Sequence, residues 1–262
     1  MTNNVKQIWA AGKAVVNGWL AIPSAFSAEV MAQCGFDSVT VDLQHGVQDY
    51  HSMVACFQAM GKHPVTPMVR VPWNEPGIIG KVLDGGAYGV ICPMVNTPEQ
   101  AAAFVSACKY PPAGTRSNGP IRMVMYGVAS LYQQTANDET LALPMIETRE
   151  AVANLDAILD TPGIAGAYIG PSDLGFSHGL VPRMDREEPE MLAIFERVIA
   201  ACEARGLKAG IHTGGAPYAA RAIGMGFRLV TITNDASLMA MAARTAVAHV
   251  RHETPLARST GD

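Results

Sequence analysis

Four ionised side chains stand out by position. Asp42, Arg70, Glu147 and Asp173 each fall at or just past the carboxyl end of a short apolar run. Burying a carboxylate without a partner is very costly, so charges in such places ask for a chemical reason. Glu147 and Asp173 follow consecutive runs and converge if those runs are neighbouring strands. Two hard oxygen ligands, with no Cys and few His beside them, suit Mg²⁺ or Mn²⁺. Magnesium takes one or two carboxylates and fills the rest of its shell with water and substrate. His45 follows Asp42 by three residues in Asp42-Leu43-Gln44-His45-Gly46, an arrangement that suits a general base. Arg70, beside carboxylates, could stabilise an enolate oxygen. Local readings stand next to these: Asp173 as a helix cap, Glu147-Thr148-Arg149-Glu150 as a helix start, His45 as a loop histidine, Arg70 as a structural ion-pair partner. His212 lies within an apolar run and reads as a core or wall residue. The joint placement of Glu147 and Asp173 favours the metal.

Lysine placement excludes other chemistry. Lysines 6, 13, 62, 81, 109 and 208 all avoid the carboxyl ends of the apolar runs. Schiff-base catalysis needs a lysine amine in the site, so neither a Schiff-base aldolase nor a PLP enzyme is expected. His212-Thr213-Gly214-Gly215 is too weak a pattern for a phosphate cup, because the matching run after the last strand, Asn234-Asp235-Ala236-Ser237, carries an acid.

The elements that must position these residues alternate eight times. Apolar runs at 18–22, 38–43, 66–71, 89–95, 141–147, 165–170, 207–213 and 228–234 read as buried parallel strands. Helical patterns fall between them, at 24–34, 49–60, 75–83, 98–108, 149–159, 188–205, 216–225 and 236–250. Gly35, Gly86, Gly206 and Gly226 punctuate helix ends, the expected C-cap chemistry. Eight such units predict a (β/α)8 TIM barrel, whose chemistry sits at the carboxyl ends of its strands. The alternative, a doubly wound open sheet, lacks its GxGxxG fingerprint. Residues 109–140 form an insertion too long for a simple connection. Arg116 within it is the expected contact for the far end of a substrate, on the expectation that this long loop lies over the barrel mouth.

Composition narrows the class. Charged residues make up 16% of the 262 residues, hydrophobic residues 49%, and the net charge is −4. Disorder, a nucleic-acid footprint and a basic membrane-binding tract are excluded. No run is long and apolar enough to span a bilayer. Five cysteines, an odd number without a CxxC pair, and the lack of a visible secretion signal predict reduced thiols and a cytoplasmic location. So few charges imply a large interior or surface hidden between subunits. One catalytic domain is expected over residues 1–252, followed by a loosely ordered polar tail at 253–262.

Seven ordered motifs resemble the HpcH/HpaI family of class II, metal-dependent pyruvate aldolases. They are Val41-Asp42-Leu43-Gln44-His45-Gly46, Pro67-Met68-Val69-Arg70-Val71, Leu83-Asp84-Gly85-Gly86-Ala87, Pro93-Met94-Val95-Asn96-Thr97, the run from Tyr110 to Ser117, the run from Met145 to Ala151, and Ile169-Gly170-Pro171-Ser172-Asp173-Leu174. The resemblance spans about residues 5–250 and does not fix the substrate. It implies a barrel of the phosphoenolpyruvate/pyruvate-binding type, and a hexamer built as a trimer of dimers with exchanged C-terminal helices. It implies reversible cleavage of a 4-hydroxy-2-oxoacid to pyruvate and an aldehyde through a metal-bound enolate, in the manner of aromatic or sugar-acid catabolism. Glu147 and Asp173 match the metal ligands, for Mg²⁺ or Mn²⁺ with Co²⁺ as a further option. His45 matches the base, with Asp42 nearby, and Arg70 the residue that stabilises the enolate. Asp84 matches a carboxylate lent by an adjacent subunit. In this chain it ends a helix at the wrong end of its own barrel, so only a neighbour's site is within reach. Trp19 matches a pocket wall; Ser172, Leu174 and Thr213 join it as substrate-binding residues. The chain departs from the family at Gln44, where many members have Glu, and at Met145, where many have Gln.

The same metal–enolate chemistry would also serve an oxaloacetate decarboxylase or a citrate-lyase-type acyl-CoA lyase. The CoA version should need a basic pocket for nucleotide phosphates, and no such cluster is visible. A non-catalytic barrel that binds oxoacids is opposed by the intact set Asp42, His45, Arg70, Glu147 and Asp173.

Overall fold

The computed structural model describes residues 3–126 and 129–252; the expected tail at 253–262 lies outside the described residues. Eight parallel strands close on themselves in sequence order: β1 Val15–Leu20, β2 Ser38–Asp42, β3 Thr66–Arg70, β4 Gly89–Cys92, β5 Leu141–Ile146, β6 Gly166–Ile169, β7 Lys208–Thr213 and β8 Leu229–Ile232. The barrel is the expected (β/α)8 fold. The α-helices among the described residues are α1 Asn4–Ala10, α2 Ala25–Ala32, α3 Tyr50–Met60, α4 Pro76–Asp84, α5 Pro98–Cys108, α6 Ala129–Glu139, α7 Arg149–Ala153, α8 Leu155–Leu159, α9 Pro171–Ser177, α10 Pro189–Glu203, α11 Ala216–Met225 and α12 Asp235–Arg251, with a short 3-10 helix at Met123–Tyr126.

Local chemistry starts most of these helices. Asn3, Ser24, Asp49, Glu75, Thr97, Thr148 and Asn234 each accept a bond from a first-turn amide of the helix that follows, which satisfies donors the helix cannot. Asp49–Ser52 and Thr97–Gln100 form full capping boxes.

Two apolar layers result. One lies between helices and barrel and includes Leu20, Phe57, Ile79, Phe104, Phe195 and Phe227. The other fills the barrel with Val15, Trp19, Met68, Leu143, Met145, Tyr168 and Leu229. Helix α1, which the periodicity did not predict, closes the amino-terminal end of the barrel. Its Val5 and Trp9 join the inner layer, and the Trp9 indole donates to the Arg228 carbonyl at 2.7 Å.

Three boundaries differ for physical reasons. The first strand begins at Val15 instead of Gly18, because Asn17 is paired inside the barrel, its amide donating to Thr231 Oγ1 at 2.9 Å. The helix expected over 149–159 is broken at Asn154, whose side chain donates to the Asn96 carbonyl. Helix α9, also unforeseen, opens immediately after β6 with Pro171 in its first turn, where a missing N–H costs nothing.

Candidate active site

The site grows from the ends of the strands. Asp42 closes β2 and Arg70 closes β3, and the two are register partners. Their side chains therefore meet: Arg70 Nε donates to Asp42 Oδ1 at 2.8 Å and Nη2 to Oδ2 at 2.6 Å. This two-pronged geometry is the strong form of the pair. The Trp19 indole also donates to Oδ2, at 3.1 Å, and the amides of Gln44 and His45 donate to Oδ1. Burial would raise the Asp42 pKa, but Arg70, Trp19 and the Gln44 amide together outweigh it and hold the carboxyl below its usual range. Asp42 thus braces both Arg70 and the turn that carries His45. Gly46 closes that turn against the Asp42 carbonyl, which would lie 2.4 Å from any added Cβ, so the tight return demands glycine.

Among the described residues Arg70 Nη1 is left without a hydrogen bond, and the guanidinium lies 5.0 Å from the centre of the Trp19 ring. The exposed His45 side chain makes no hydrogen bond among the described residues and reaches the cavity.

Glu147 follows β5 and is 2% exposed. One oxygen accepts the Met94 amide at 2.8 Å. The other presses on Gly170, where a Cβ would sit 2.3 Å away. Burial, with the nearby Asp173 charge and against the Met94 amide, pushes this carboxyl up to about 7. Asp173 lies in the first turn of α9, whose N-cap is Gly170 and which has no side-chain cap bond, so Asp173 does not cap the helix as its local reading had it.

These groups surround a cavity of about 380 Å³ at the carboxyl end of the barrel. Trp19, Ala21, Asp42, His45, Arg70, Met145, Gly170, Ser172, Asp173, Met184, His212 and Asn234 line it; Glu147 lies directly behind Gly170. A second cavity of about 340 Å³ lies at the other end, beside Thr66, Tyr88 and Arg122, with no carboxylate in its lining.

Several expected residues lie elsewhere. Thr213 and Leu174 are fully buried outside the cavity. On a strand, neighbours face opposite ways, so His212 pointing inward sends Thr213 outward, where its hydroxyl donates to the Thr231 carbonyl. Leu174 packs in the layer between helices and barrel. Arg116 does not lie over the mouth. The described parts of segment 109–140 return from α5 to β5 and so belong to the amino-terminal end. There Arg116, with no exposed side-chain surface, donates to Asp84 at 2.7 Å and sits 4.4 Å from the Tyr110 ring centre. Asp84 ends α4 just before β4, likewise away from its own cavity. Sequence reasoning passed over Ala21, Met184 and Asn234; for Ala21 and Asn234, their place just beyond strands β1 and β8 was the available signal. His212 is the wall residue that was expected.

The site also fits a divalent cation. Among the described residues no group of three or more His, Cys, Asp or Glu could hold a metal, but two carboxylates suffice for magnesium. The Asp173 charge helps raise the Glu147 carboxyl and Arg70 offsets it only in part, so a bound cation would relieve that repulsion.

The closed barrel, with carboxylates and an arginine around a cavity at the carboxyl ends of its strands, defines a (β/α)8-barrel protein of the enzyme type. The chain belongs to the HpcH/HpaI aldolase/citrate lyase family, which matches residues 17–217. It is 39% identical to the hydroxypyruvate/pyruvate aldolase of Rhizorhabdus wittichii over 95% of this chain and 99% of that one. It is 35% identical to the 4-hydroxy-2-oxo-heptane-1,7-dioate aldolase of Salmonella paratyphi C, over 100% of this chain and 99% of the other. Among solved structures, a HpcH/HpaI aldolase/citrate lyase family protein from Burkholderia cenocepacia superimposes with a TM-score of 0.89 at 31% identity, covering 95% of this chain and all of that one.

Proposed function

We propose that the protein is a metal-dependent aldolase that reversibly cleaves a 4-hydroxy-2-oxoacid to pyruvate and an aldehyde. The observation that carries this reading is the meeting, on one cavity, of an Asp42-braced Arg70 and Asp173, with Glu147 directly behind the Gly170 wall. The names of the aldolase relatives point the same way. Glu147 and Asp173 would hold Mg²⁺ or Mn²⁺. When bound, the cation would act as a Lewis acid on the oxoacid.

The remaining work falls to the chain itself. The first-turn amides of α9, at Ser172 and Asp173, have no intrahelical acceptor and offer donors to the substrate carboxylate. Trp19 walls the cavity. His45, through water, takes the proton of the 4-hydroxyl. The C3–C4 bond then breaks, the aldehyde leaves, and the electron pair spreads onto the 2-oxo oxygen as an enolate. Arg70 Nη1, aimed by the Asp42 clamp, stabilises oxyanion charge. Protonation at C3 completes pyruvate. Gln44 and Met145 shape the surroundings differently from many relatives: Gln44 Oε1 is buried with no hydrogen bond, and Met145 lies against Gly170.

We extend the proposal to a homo-oligomer, a hexamer with exchanged C-terminal helices. Exposed Met239, Met241, Val247 and Val250 on α12 support it. Asp84 would serve a neighbour's site, with Arg116 fixing its carboxylate. No described helix is long and apolar enough to cross a membrane. The five free cysteines support a reducing, cytoplasmic setting.

The test is proton exchange at C3 of pyruvate, followed by deuterium incorporation. Exchange should vanish in excess chelator and return with Mg²⁺ or Mn²⁺. Exchange that persists undiminished under chelation would overturn the metal-dependent reading.

A further inference from the structure

One fully buried cation takes no part in the mechanism above. The Arg186 side chain has no exposed surface, and its one charged partner among the described residues is Glu188, whose own side chain is 32% exposed. Arg186 Nη1 donates to Glu188 Oε1 at 3.1 Å. The rest of the fork turns toward the active site: Nε donates to the Pro171 carbonyl at 3.1 Å and Nη2 to the Ser172 carbonyl at 3.5 Å. Gly175 makes room for it, because a Cβ there would lie 1.8 Å from Nη2.

The guanidinium is not needed to hold its own segment. Asp185 accepts the Gly214 amide at 2.7 Å, the Tyr218 hydroxyl donates to the Arg186 carbonyl, and Glu187 pairs with Arg221. These bonds tie residues 185–187 to the turn after β7 and to α11, and none of them uses the Arg186 side chain. Burying a charge is costly. What offsets that cost is what the charge grips.

It grips two peptide units by their oxygens. Each unit joins the carbonyl of one residue to the amide of the next through a conjugated bond. The Pro171 carbonyl shares its unit with the Ser172 amide, and the Ser172 carbonyl shares its unit with the Asp173 amide. Ser172 and Asp173 line the cavity beside Gly170, and theirs are the two amides offered to the substrate carboxylate. A cation on the oxygen fixes the plane of each unit. It also draws electron density from the N–H on the far side, which makes that N–H a stronger donor. The half-solvated Glu188 carboxylate cancels the buried charge only in part, since its own field is screened by water.

We propose that Arg186 is a positioning residue for the substrate carboxylate, which aims and strengthens the Ser172 and Asp173 amides by holding their peptide units from behind. The proposal rests on the aldolase reading above. The full-length protein, loaded with Mg²⁺ or Mn²⁺, is assayed for deuterium incorporation at C3 of pyruvate. Arg186→Met should raise KM for pyruvate about tenfold, with kcat within about threefold of wild type. Arg186→Lys, which keeps the charge but not the fork, should fall between the two. Glu188→Gln gives the opposite sign: it leaves an acceptor for Nη1 but removes the counter-charge, so KM should fall about twofold. Were the pair merely a structural pin, weakening it would raise KM instead. A folded Arg186→Met protein with unchanged KM overturns the proposal, as does a Glu188→Gln protein with raised KM. If Arg186→Met fails to fold, Arg186→Lys and Glu188→Gln decide. If the wild type shows no exchange at all, the aldolase reading falls. Calorimetric titration of pyruvate into wild type and Glu188→Gln then judges Arg186 alone, tighter binding to the variant supporting the role and weaker or equal binding overturning it.

Discussion

Replacing Glu147 by Gln should stabilise the metal-free protein at alkaline pH while abolishing activity. Burial and the Asp173 charge raise this carboxyl from 4.5 to about 7. The folded state therefore holds the proton more tightly than the unfolded chain between those values, and stability falls as pH rises through that window. Below pH 4.5 both states are protonated and no penalty exists. Above pH 7 the penalty is complete, and at about 1.4 kcal/mol per pKa unit it reaches about 3 kcal/mol. Glutamine keeps the acceptor for the Met94 amide but carries no charge. Equilibrium denaturation at pH 8, in chelator and at fixed protein concentration, should show the variant more stable by about 3 kcal/mol; at pH 5 the gain should shrink to under about 1 kcal/mol. Mg²⁺ should then stabilise the wild type, by about 2.7 kcal/mol at a hundred times its Kd, and leave the variant unmoved. A variant that is less stable at pH 8, or a gain that does not depend on pH, would refute the view that Glu147 is a strained carboxylate waiting for a cation.

Arg70→Lys should lower kcat by about 10²- to 10³-fold, with a smaller change in KM. Lysine cannot hold both Asp42 oxygens and still offer a fixed donor to an oxyanion; steady-state kinetics check it, and a kcat within a factor of three of wild type would count against the role. Asp84→Asn strips the buried Arg116 of its one charged partner among the described residues, a loss worth about 3 kcal/mol or more. Thermal denaturation should register a drop of roughly 10 °C, and an unshifted Tm would show that Tyr110 and Tyr132 alone sustain the guanidinium.

Much of the fold was legible before any coordinates. Eight apolar runs of strand length, helical patterns between them, and glycines past helix ends each report a local preference, and the local preferences agree. The strand-end charges were legible for the same reason. In a barrel, the residue that ends a strand is at the working face wherever the rest of the chain goes, so Asp42, Arg70 and Asp173 could be placed from order alone. Helix α1 escaped because seven residues with two apolar anchors make too weak a pattern until the barrel end they fill exists.

The sequence alone thus determined the barrel, its eight units and the carboxylates and arginine that crown it, because each depends on periodicity and chain order. Only the tertiary structure decided which side chains share a space. Asn17 reads as a flaw in a strand until Thr231, far along the chain, closes beside it across the β1–β8 seam. Thr213 and His212 differ by one residue, and the pleat sends one outward and the other to the cavity. Arg116 sits in a loop that looked suited to cover the mouth, but a connection from helix to strand must end at the opposite face, where the arginine pairs with Asp84. Hydrogen bonds between distant residues and the facing of alternate side chains arise only when the sheet closes, and that closure turns a row of strand-end residues into a site.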